Sequence, residues 1–364
     1  MTSTYFFHSP VKAYVGEDFD TLLSLLAGDA ENIAVVSGAT SIIKTGFKER
    51  VATLFQNRNL LFFNEIEENP SINTVMRGGR LLRKHKTDLV IAFGGGSALD
   101  AAKAVALLAN NQGDFHEIFH AEKLKSALPV IAIPTTCGTG SEMNNYAIIT
   151  DSENLDKVNL SKDSMFPVAA ILEPEFLRTL DEELVRSTVF DAFSHAFEGY
   201  LSKRSNPFSD AVALNSIDVI LQSIVKSNGF KTLDDDILTS FLYGSSLAGI
   251  VILHTGTTLL HALGYYFTNH KKIHHGKANA ILLDGYVSLC RSANVKKIAD
   301  VDMLFEKYGL ELDRFAEPYY GKENVCDIVP ENEADKFIRY AVGKPNAPLS
   351  PFDIDVDKIK QALY

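Results

Sequence analysis

Hydrophobic and polar positions divide the chain into two regimes. In the first, short apolar runs rich in Val and Ile alternate with stretches of three- and four-residue periodicity. "NIAVVSG" (32–38), "NLLFFNEI" (59–66), "TDLVIAFGGGS" (87–97) and "LPVIAIPTT" (128–136) read as buried strands. "SINTVMRGGRLLRKH" and "ALDAAKAVALLAN" between them read as helices. Near-continuous apolar strands separated by helices predict a parallel sheet covered on both faces. "FFHSPVKAYVG" at the start reads as an edge strand or a hairpin. After about residue 178 the strand pattern fades. "DEELVRSTVFDAFSHAFEGYLSK", "FSDAVALNSIDVILQSIVKS" and "DILTSFLYGSSLAGIVILHTG" carry helical periodicity, so the second half reads as all helix. The boundary falls near "RTLDEE", where charge and a helix-start signal interrupt the pattern.

Composition narrows the function. With 364 residues the chain is long for one core and comfortable for two domains. The net charge of −11 repels phosphate backbones, and "HKKIHH" is too short for an electrostatic footprint, so no nucleic-acid partner is expected. No membrane partner is expected either, since no stretch approaches the roughly 18–20 uncharged apolar residues of a span. The N-terminus lacks a signal-peptide pattern. Cys137, Cys290 and Cys326 are odd in number and far apart, which points to a reduced, cytoplasmic setting rather than disulfides or a zinc ribbon.

Two loops suit phosphates. In "LVIAFGGGSALDAAKAVALL" a strand meets a triple glycine and then a helix whose first turn holds Ser97 and Asp100. Glycines allow close backbone approach, and the helix start offers N–H groups and partial positive charge. The spacing is not GxGxxG. A tight strand-to-helix turn capped by Ser97 is the plainer reading of the same residues. One strand later "PVIAIPTTCGTGSEMNNYAIITD" crowds Thr135, Thr136, Thr139 and Ser141 beside Gly138 and Gly140. Two such loops at the carboxyl ends of strands in one sheet fit ligand binding at that edge.

A second constellation lies on helices. Asp191 and His195 are four residues apart, on one helix face, among Phe190, Phe193 and Phe197. Buried polar groups need partners, and a hydrogen-bonded core pair would satisfy these two as well as a metal. "HTGTTLLHALGYYFTNHKKIHHG" (254–276) holds half of the chain's ten histidines. His261 follows an apolar pair inside a helix and His275 opens the next element, so both can aim inward. His254, His270 and His274 read as surface residues. One Asp and three His form a mixed oxygen–nitrogen set suited to divalent iron, zinc, nickel or cobalt.

"GGGSALDAAKAVALL", "IPTTCGTGSEMNNYAIITD", "FDAFSHAFEGYLS" and "GTTLLHALGYYFTNHKKIHHGKANAILL" together resemble the iron-containing (group III) alcohol dehydrogenases of the dehydroquinate synthase-like superfamily. The similarity runs in order from about residue 5 to residue 290 and thins afterwards. The resemblance implies an α/β nucleotide-binding domain with a parallel sheet over 1–178 and an all-α metal-binding and substrate domain over 179–364, with the active site between them. It implies Asp191, His195, His261 and His275 as metal ligands, with Fe2+ favoured and Zn2+ or Ni2+ as substitutes. It implies cofactor contacts from Gly94, Gly95, Gly96, Ser97 and Asp100, from Thr135, Thr136 and Thr139, and from Asn69, Ala147 and Lys157. The implied reaction is hydride transfer between a small alcohol or aldehyde and a nicotinamide cofactor, in a homodimer.

Departures from the family pattern sharpen the expectations. "VVSGATS" places Gly38 where NAD-preferring relatives often carry an Asp, which removes a charge that would repel a 2′-phosphate. NADP(H) is therefore favoured over NAD(H), with Gly38 and Ser41 at that site. Tyr265 stands where some relatives have a second histidine, "LEP" replaces a commoner "DP", and Val189 occupies a usual glycine. The competing readings are a lyase of the dehydroquinate synthase type, using nicotinamide transiently, and a non-catalytic binding protein.

Overall fold

The computed structural model describes residues 6–152 and 156–364; residues 1–5, at the start of the expected first domain, lie outside the described residues. The chain forms two compact units. One comprises Ser9–Thr136 and Gly140–Leu180; the other comprises Asp181–Tyr364 together with Cys137–Thr139 and the described part of Met1–His8.

The first unit is built on strands β1 (Lys12–Val15), β2 (Asn32–Ser37), β3 (Asn59–Phe63), β4 (Leu89–Gly94), β5 (Val130–Pro134), β6 (Tyr146–Asp151), β7 (Asp156–Ser161) and β8 (Ala169–Leu172). Six of them form a parallel sheet in the order β1-β8-β5-β4-β2-β3. Its helices are α1 (Phe19–Ala27), α2 (Ala39–Lys44), α3 (Phe47–Leu54), α4 (Ile72–His85), α5 (Gly96–Asn110) and α6 (Phe115–His120). Alternate residues of each strand enter different cores. Ala34, Val36, Val90 and Ala92 pack with Val75, Leu82, Leu99 and Val105. Ile33, Val35, Ile91 and Phe93 pack with Phe19, Leu23, Phe47 and Val51 on the other face, where Phe47 stacks on Phe93 at 3.8 Å.

The opening stretch provides the edge strand β1, as one of the two expectations held. Three strands were not anticipated. β8 is only four residues long and fully buried. β6 and β7 form a separate antiparallel hairpin, whose Ala147, Ile149 and Leu160 join the core over α5.

Among its described residues the second unit contains helices and connecting loops but no strand: α7 (Glu182–Leu201), α8 (Pro207–Lys226), α9 (Asp235–Thr255), α10 (Leu259–Lys271), α11 (His275–Ser292), α12 (Ile298–Lys307) and shorter helices ending at Val356–Leu363. α7 is its axis, buried on nearly every side from Val185 to Leu201. By length and composition only, α8 and α9 are long and apolar enough to cross a membrane, which was not anticipated from the sequence; core helices meet the same measure. Here they pack on each other: Ser216 Oγ donates to Gly244 O at 2.7 Å, and a Cβ on Gly244 would meet Ile220 Cγ1 at 2.7 Å.

Candidate metal centre and nucleotide loops

α7 begins at Asp181, whose carboxylate accepts from Leu184 N at 2.8 Å, and Glu182 and Glu183 favour its positive end. Further along, Asp191, His195 and Glu198 recur at intervals of four and three residues and so share one stripe. α10 and α11 bring two more imidazoles to that stripe. His261 Nε2 lies 3.5 Å and His275 Nε2 3.6 Å from Asp191 Oδ1. One ligand atom from each of Asp191, His261 and His275 falls within 4.8 Å of the others. The His195 ring stacks on that of His261, centroids 4.5 Å apart.

Hydrogen bonds fix which nitrogen of each ring carries its proton. His195 Nδ1 faces Gly138 O at 3.2 Å, and a carbonyl only accepts, so Nδ1 donates. His261 Nδ1 donates to Glu198 Oε2. Thr268 Oγ1 spends its hydrogen on Gly264 O, at 3.1 Å, and so accepts from His275 Nδ1 at 3.3 Å. A neutral imidazole holds one proton, so all three rings keep the Nε2 lone pair, the form in which histidine binds metals.

Charge decides what competes for that lone pair. Burial alone would push the Asp191 carboxyl up, yet the imidazoles of His195, His275 and His261 hold it well below the usual carboxylate range. Burial disfavours a charged His261, but Glu198 and Asp191 outweigh it and raise that imidazole to about 9. Proton and cation therefore compete for the same nitrogen. Asp191 and Glu198 bring two buried negative charges, and one divalent cation balances both. The donor set, its burial and its charge fit a divalent metal.

Two residues of this network escaped the sequence reading. Glu198 was visible as the next polar residue on the Asp191 stripe. Asn279 was not, because only the fold brings it between Asp191 and His261, 3.3 Å from each. Three other histidines lie elsewhere. His254 stacks on Phe7 at 4.4 Å, His270 packs on Tyr266, and His274 is the exposed N-terminal flank of α11. Tyr265 stacks on His275, with ring centroids 5.3 Å apart and planes 9° apart. Burial, then Glu198 and Asp191, push its phenol far above the usual range, so it remains neutral.

In the sheet unit the two anticipated loops leave the same edge. β2 and β4 are neighbours, yet β2 leads outward to β3 while β4 leads the other way to β5. The crevice at such a switch point is where open α/β sheets take dinucleotides. A Cβ on Gly94 (φ 143°) would strike Ala98 Cβ at 2.7 Å and lie 3.5 Å from Ser41 Oγ, so the Gly38–Ser41 and Gly94–Ser97 turns meet there. Gly95 is the N-cap of α5 and offers no side chain to it. Thr135 N donates to Gly94 O at 3.0 Å, and a Cβ on Gly95 would lie 3.2 Å from Thr136 Cγ2.

The remaining anticipated cofactor residues divide. Asn69 (φ 56°) approaches Ser97, its N–H donating to Ser97 Oγ at 3.2 Å, while its Oδ1 accepts from Lys157 Nζ at 2.7 Å. Asp100 is committed inside the protein: it accepts from Ser141 Oγ and Ile148 N and pairs with the buried Lys103. Ala147 turns its methyl into the core, leaving only backbone for a ligand. Thr139 belongs with Cys137 and Gly138 to the helical unit.

Comparison with known proteins places the chain in a family. Residues 10–174 match the family description "Iron-containing alcohol dehydrogenase" and residues 185–322 match "Fe-containing alcohol dehydrogenase family, C-terminal". Alcohol dehydrogenase 4 of Saccharomyces cerevisiae is 32% identical over 289 residues, 78% of this chain and 75% of that protein. The NADPH-dependent butanol dehydrogenase of Clostridium saccharobutylicum is 28% identical over 301 residues, 81% of this chain and 76% of that one. The crystal structure of an iron-containing alcohol dehydrogenase from Thermotoga maritima superposes with a TM-score of 0.86 at 33% identity, covering 99% of both chains. The chain belongs to the iron-containing alcohol dehydrogenase family.

Proposed function

We propose that this protein transfers hydride between small alcohols or aldehydes and NADP(H), with Asp191, His195, His261 and His275 holding a divalent cation, Fe2+ by preference. Family membership makes it an NAD(P)-dependent oxidoreductase acting on CH–OH groups, and the lyase reading is set aside because the matching relatives are named as alcohol dehydrogenases. The observation that carries the site assignment is the shared orientation of three imidazoles beside Asp191, each with Nδ1 committed elsewhere.

A divalent cation held by these side chains supplies Lewis acidity, which eases loss of an alcohol proton and polarises an aldehyde carbonyl. A nicotinamide cofactor bound in the crevice between the Gly38–Ser41 and Gly94–Ser97 turns would supply or take the hydride. The chain's own groups do the positioning. The Gly94–Ser97 turn and the start of α5 favour a pyrophosphate. Gly38 and Ser41 leave room and a hydroxyl for a 2′-phosphate, consistent with the NADPH named in the Clostridium relative. Asn69, Lys157 and the Thr135–Thr136 turn flank that crevice. Neutral Tyr265 forms a flat wall against His275 rather than a proton shuttle. Phe190, Phe193 and Phe197 lie on another side of α7 from these ligands, where they pack on Phe230, Phe305, Phe315 and Tyr286 and anchor the helix in the core.

The same reading divides the chain into a nucleotide-binding domain, 1–178, and a metal-binding domain, 179–364. It makes the protein a cytoplasmic homodimer, in keeping with three free cysteines.

The test is aldehyde reduction by enzyme stripped of metal and reloaded with Fe2+ or Zn2+, with NADH and NADPH in parallel. Oxidation of NADPH by short aliphatic aldehydes, dependent on reloading and faster than with NADH, is expected. Cofactor oxidation that survives stripping, or none with either metal, would overturn the proposal.

A further inference from the structure

α10 starts without a cap of its own. Its N-cap Thr258 makes no side-chain capping bond, although the first N–H groups of a helix have no intrahelical partner. Glu198, reaching over from α7, replaces the missing cap. Its Oε1 accepts from Thr258 N at 2.9 Å and His261 N at 3.2 Å, and also from Thr258 Oγ1. Since that hydroxyl hydrogen is directed to Glu198, Tyr286 must donate to Thr258 Oγ1, at 2.7 Å. The hydrogen-bonded chain from Tyr286 through Thr258 thus ends on the Glu198 carboxylate, which is fully buried. Its other oxygen, Oε2, takes the proton of His261 Nδ1.

We infer that Glu198 is a positioning residue for the metal centre: it seats the first turn of α10 and holds His261 in the Nδ1–H form, so that Nε2 is presented toward Asp191. The inference rests on the reading of His261 as a ligand. His195 and His275 are oriented by neutral acceptors, Gly138 O and Thr268 Oγ1. His261 has an anion, which makes its Nε2 the more basic donor. A carboxylate is required because both oxygens accept. In Glu198→Gln the amide must turn its NH2 either to His261 Nδ1, driving the ring proton onto Nε2, or to the N–H groups of α10, setting donor against donor.

The experiment uses the full chain with Zn2+ as probe, which is diamagnetic and redox-inert. Zinc affinity is measured by chelator competition for the wild type, Glu198→Gln, Thr258→Val and His261→Ala, alongside Tm without metal. Glu198→Gln should bind zinc about 10- to 100-fold more weakly. Thr258→Val loses the hydroxyl's bonds to Glu198 and Tyr286 but keeps the His261 Nδ1 partner, so its Tm should fall while zinc affinity stays within about threefold of wild type. Histidine 15N spectra of the zinc-loaded wild type should place the His261 proton on Nδ1. A bare Nδ1 in those spectra overturns the inference even if Glu198→Gln fails to fold. Wild-type affinity in Glu198→Gln, equal losses in both variants, or a bare Nδ1 would each overturn the inference. If His261→Ala binds zinc like the wild type, the ligand reading itself fails; a loss there with none in Glu198→Gln sinks only the role of Glu198.

Discussion

Asn279 places its side-chain amide between Asp191 and His261: Nδ2 lies 3.3 Å from Asp191 Oδ1 and 3.3 Å from His261 Nε2. The carboxylate admits only the NH2 end, so Oδ1 points the other way, where it is buried with no hydrogen-bond partner. It points at Gly264 of α10, where an added Cβ would stand only 2.2 Å from that oxygen. Gly264 thus makes room for a residue of the metal centre.

That contact predicts a coupling. Gly264→Ala alone should cost about 2 kcal/mol, the usual scale of overpacking. In an Asn279→Ala background the obstructing oxygen is gone, and the same change should cost less than about 1 kcal/mol. Denaturant midpoints for the four proteins of the cycle give the interaction directly. Equal costs in the two backgrounds would show that the amide yields freely and that the close approach carries no energy.

Gly276, next to His275, meets a harder obstacle. A Cβ there would lie 1.7 Å from Ser187 O and 3.0 Å from Asp191 N, both backbone atoms of α7. No rotamer relieves such a clash, so α7 and α11 must separate and carry His275 away from Asp191. Gly276→Ala should destabilise by more than about 3 kcal/mol and abolish tight zinc binding. A folded variant with wild-type affinity in chelator competition would contradict this reading of the helix crossing.

These two glycines show where sequence reading stopped. The sheet strands were legible because β2, β4 and β5 are covered on both faces and therefore apolar throughout. The hairpin of β6 and β7 was not. Its residues alternate between the core over α5 and solvent, and polar turn residues before Tyr146 make the stretch look like loop. On α7, the spacing of Asp191 and His195 placed them on one face without any tertiary information. Glu198 was equally accessible, but a glutamate on a helix ordinarily reads as solvated surface, and burial alone reveals its role. Asn279 and Gly264 are fifteen residues apart on different helices, and nothing local announces that one shapes the other. Lys103 is a similar case: on sequence it is an ordinary helical lysine. In the fold it is buried, donating to Ser141 and Asn144 and tying α5 to the polar loop.

Cofactor choice has its own test. Gly38 has φ −76° and ψ 156°, a conformation open to any residue, and its would-be Cβ makes only an ordinary contact, 3.4 Å from Ile66 O. Gly38→Asp should therefore fold normally while placing a carboxylate beside Ser41. There it repels a 2′-phosphate and accepts from ribose hydroxyls. The ratio of kcat/KM for NADPH to that for NADH should fall by about tenfold or more, roughly 1.4 kcal/mol. An unchanged ratio would remove the 2′-phosphate from this turn.

The loop that carries Asn69 should register acid. Glu67 accepts from Ser71 N at 2.9 Å and Thr74 Oγ1 at 2.8 Å, bracing the start of α4. Partial burial pushes its carboxyl up, but the Ser71 N–H and the Thr74 hydroxyl prevail and hold it below the ordinary value near 4.5. The folded protein thus favours the ionised form more than the unfolded chain does. That stabilisation is complete above the unfolded value and disappears as pH falls through the folded one. Glu67→Gln keeps an acceptor but loses the charge. Because the side chain is largely exposed, solvent screening limits the difference to about 0.5 kcal/mol, or roughly 1–2 °C in Tm. Melting both proteins from neutral pH down to well below 4.5 should show the wild type ahead near neutrality and the gap closing only as the carboxylate protonates, below the ordinary value. A gap that stays constant, or widens in acid, would mean that the charge of Glu67 plays no part in holding this loop.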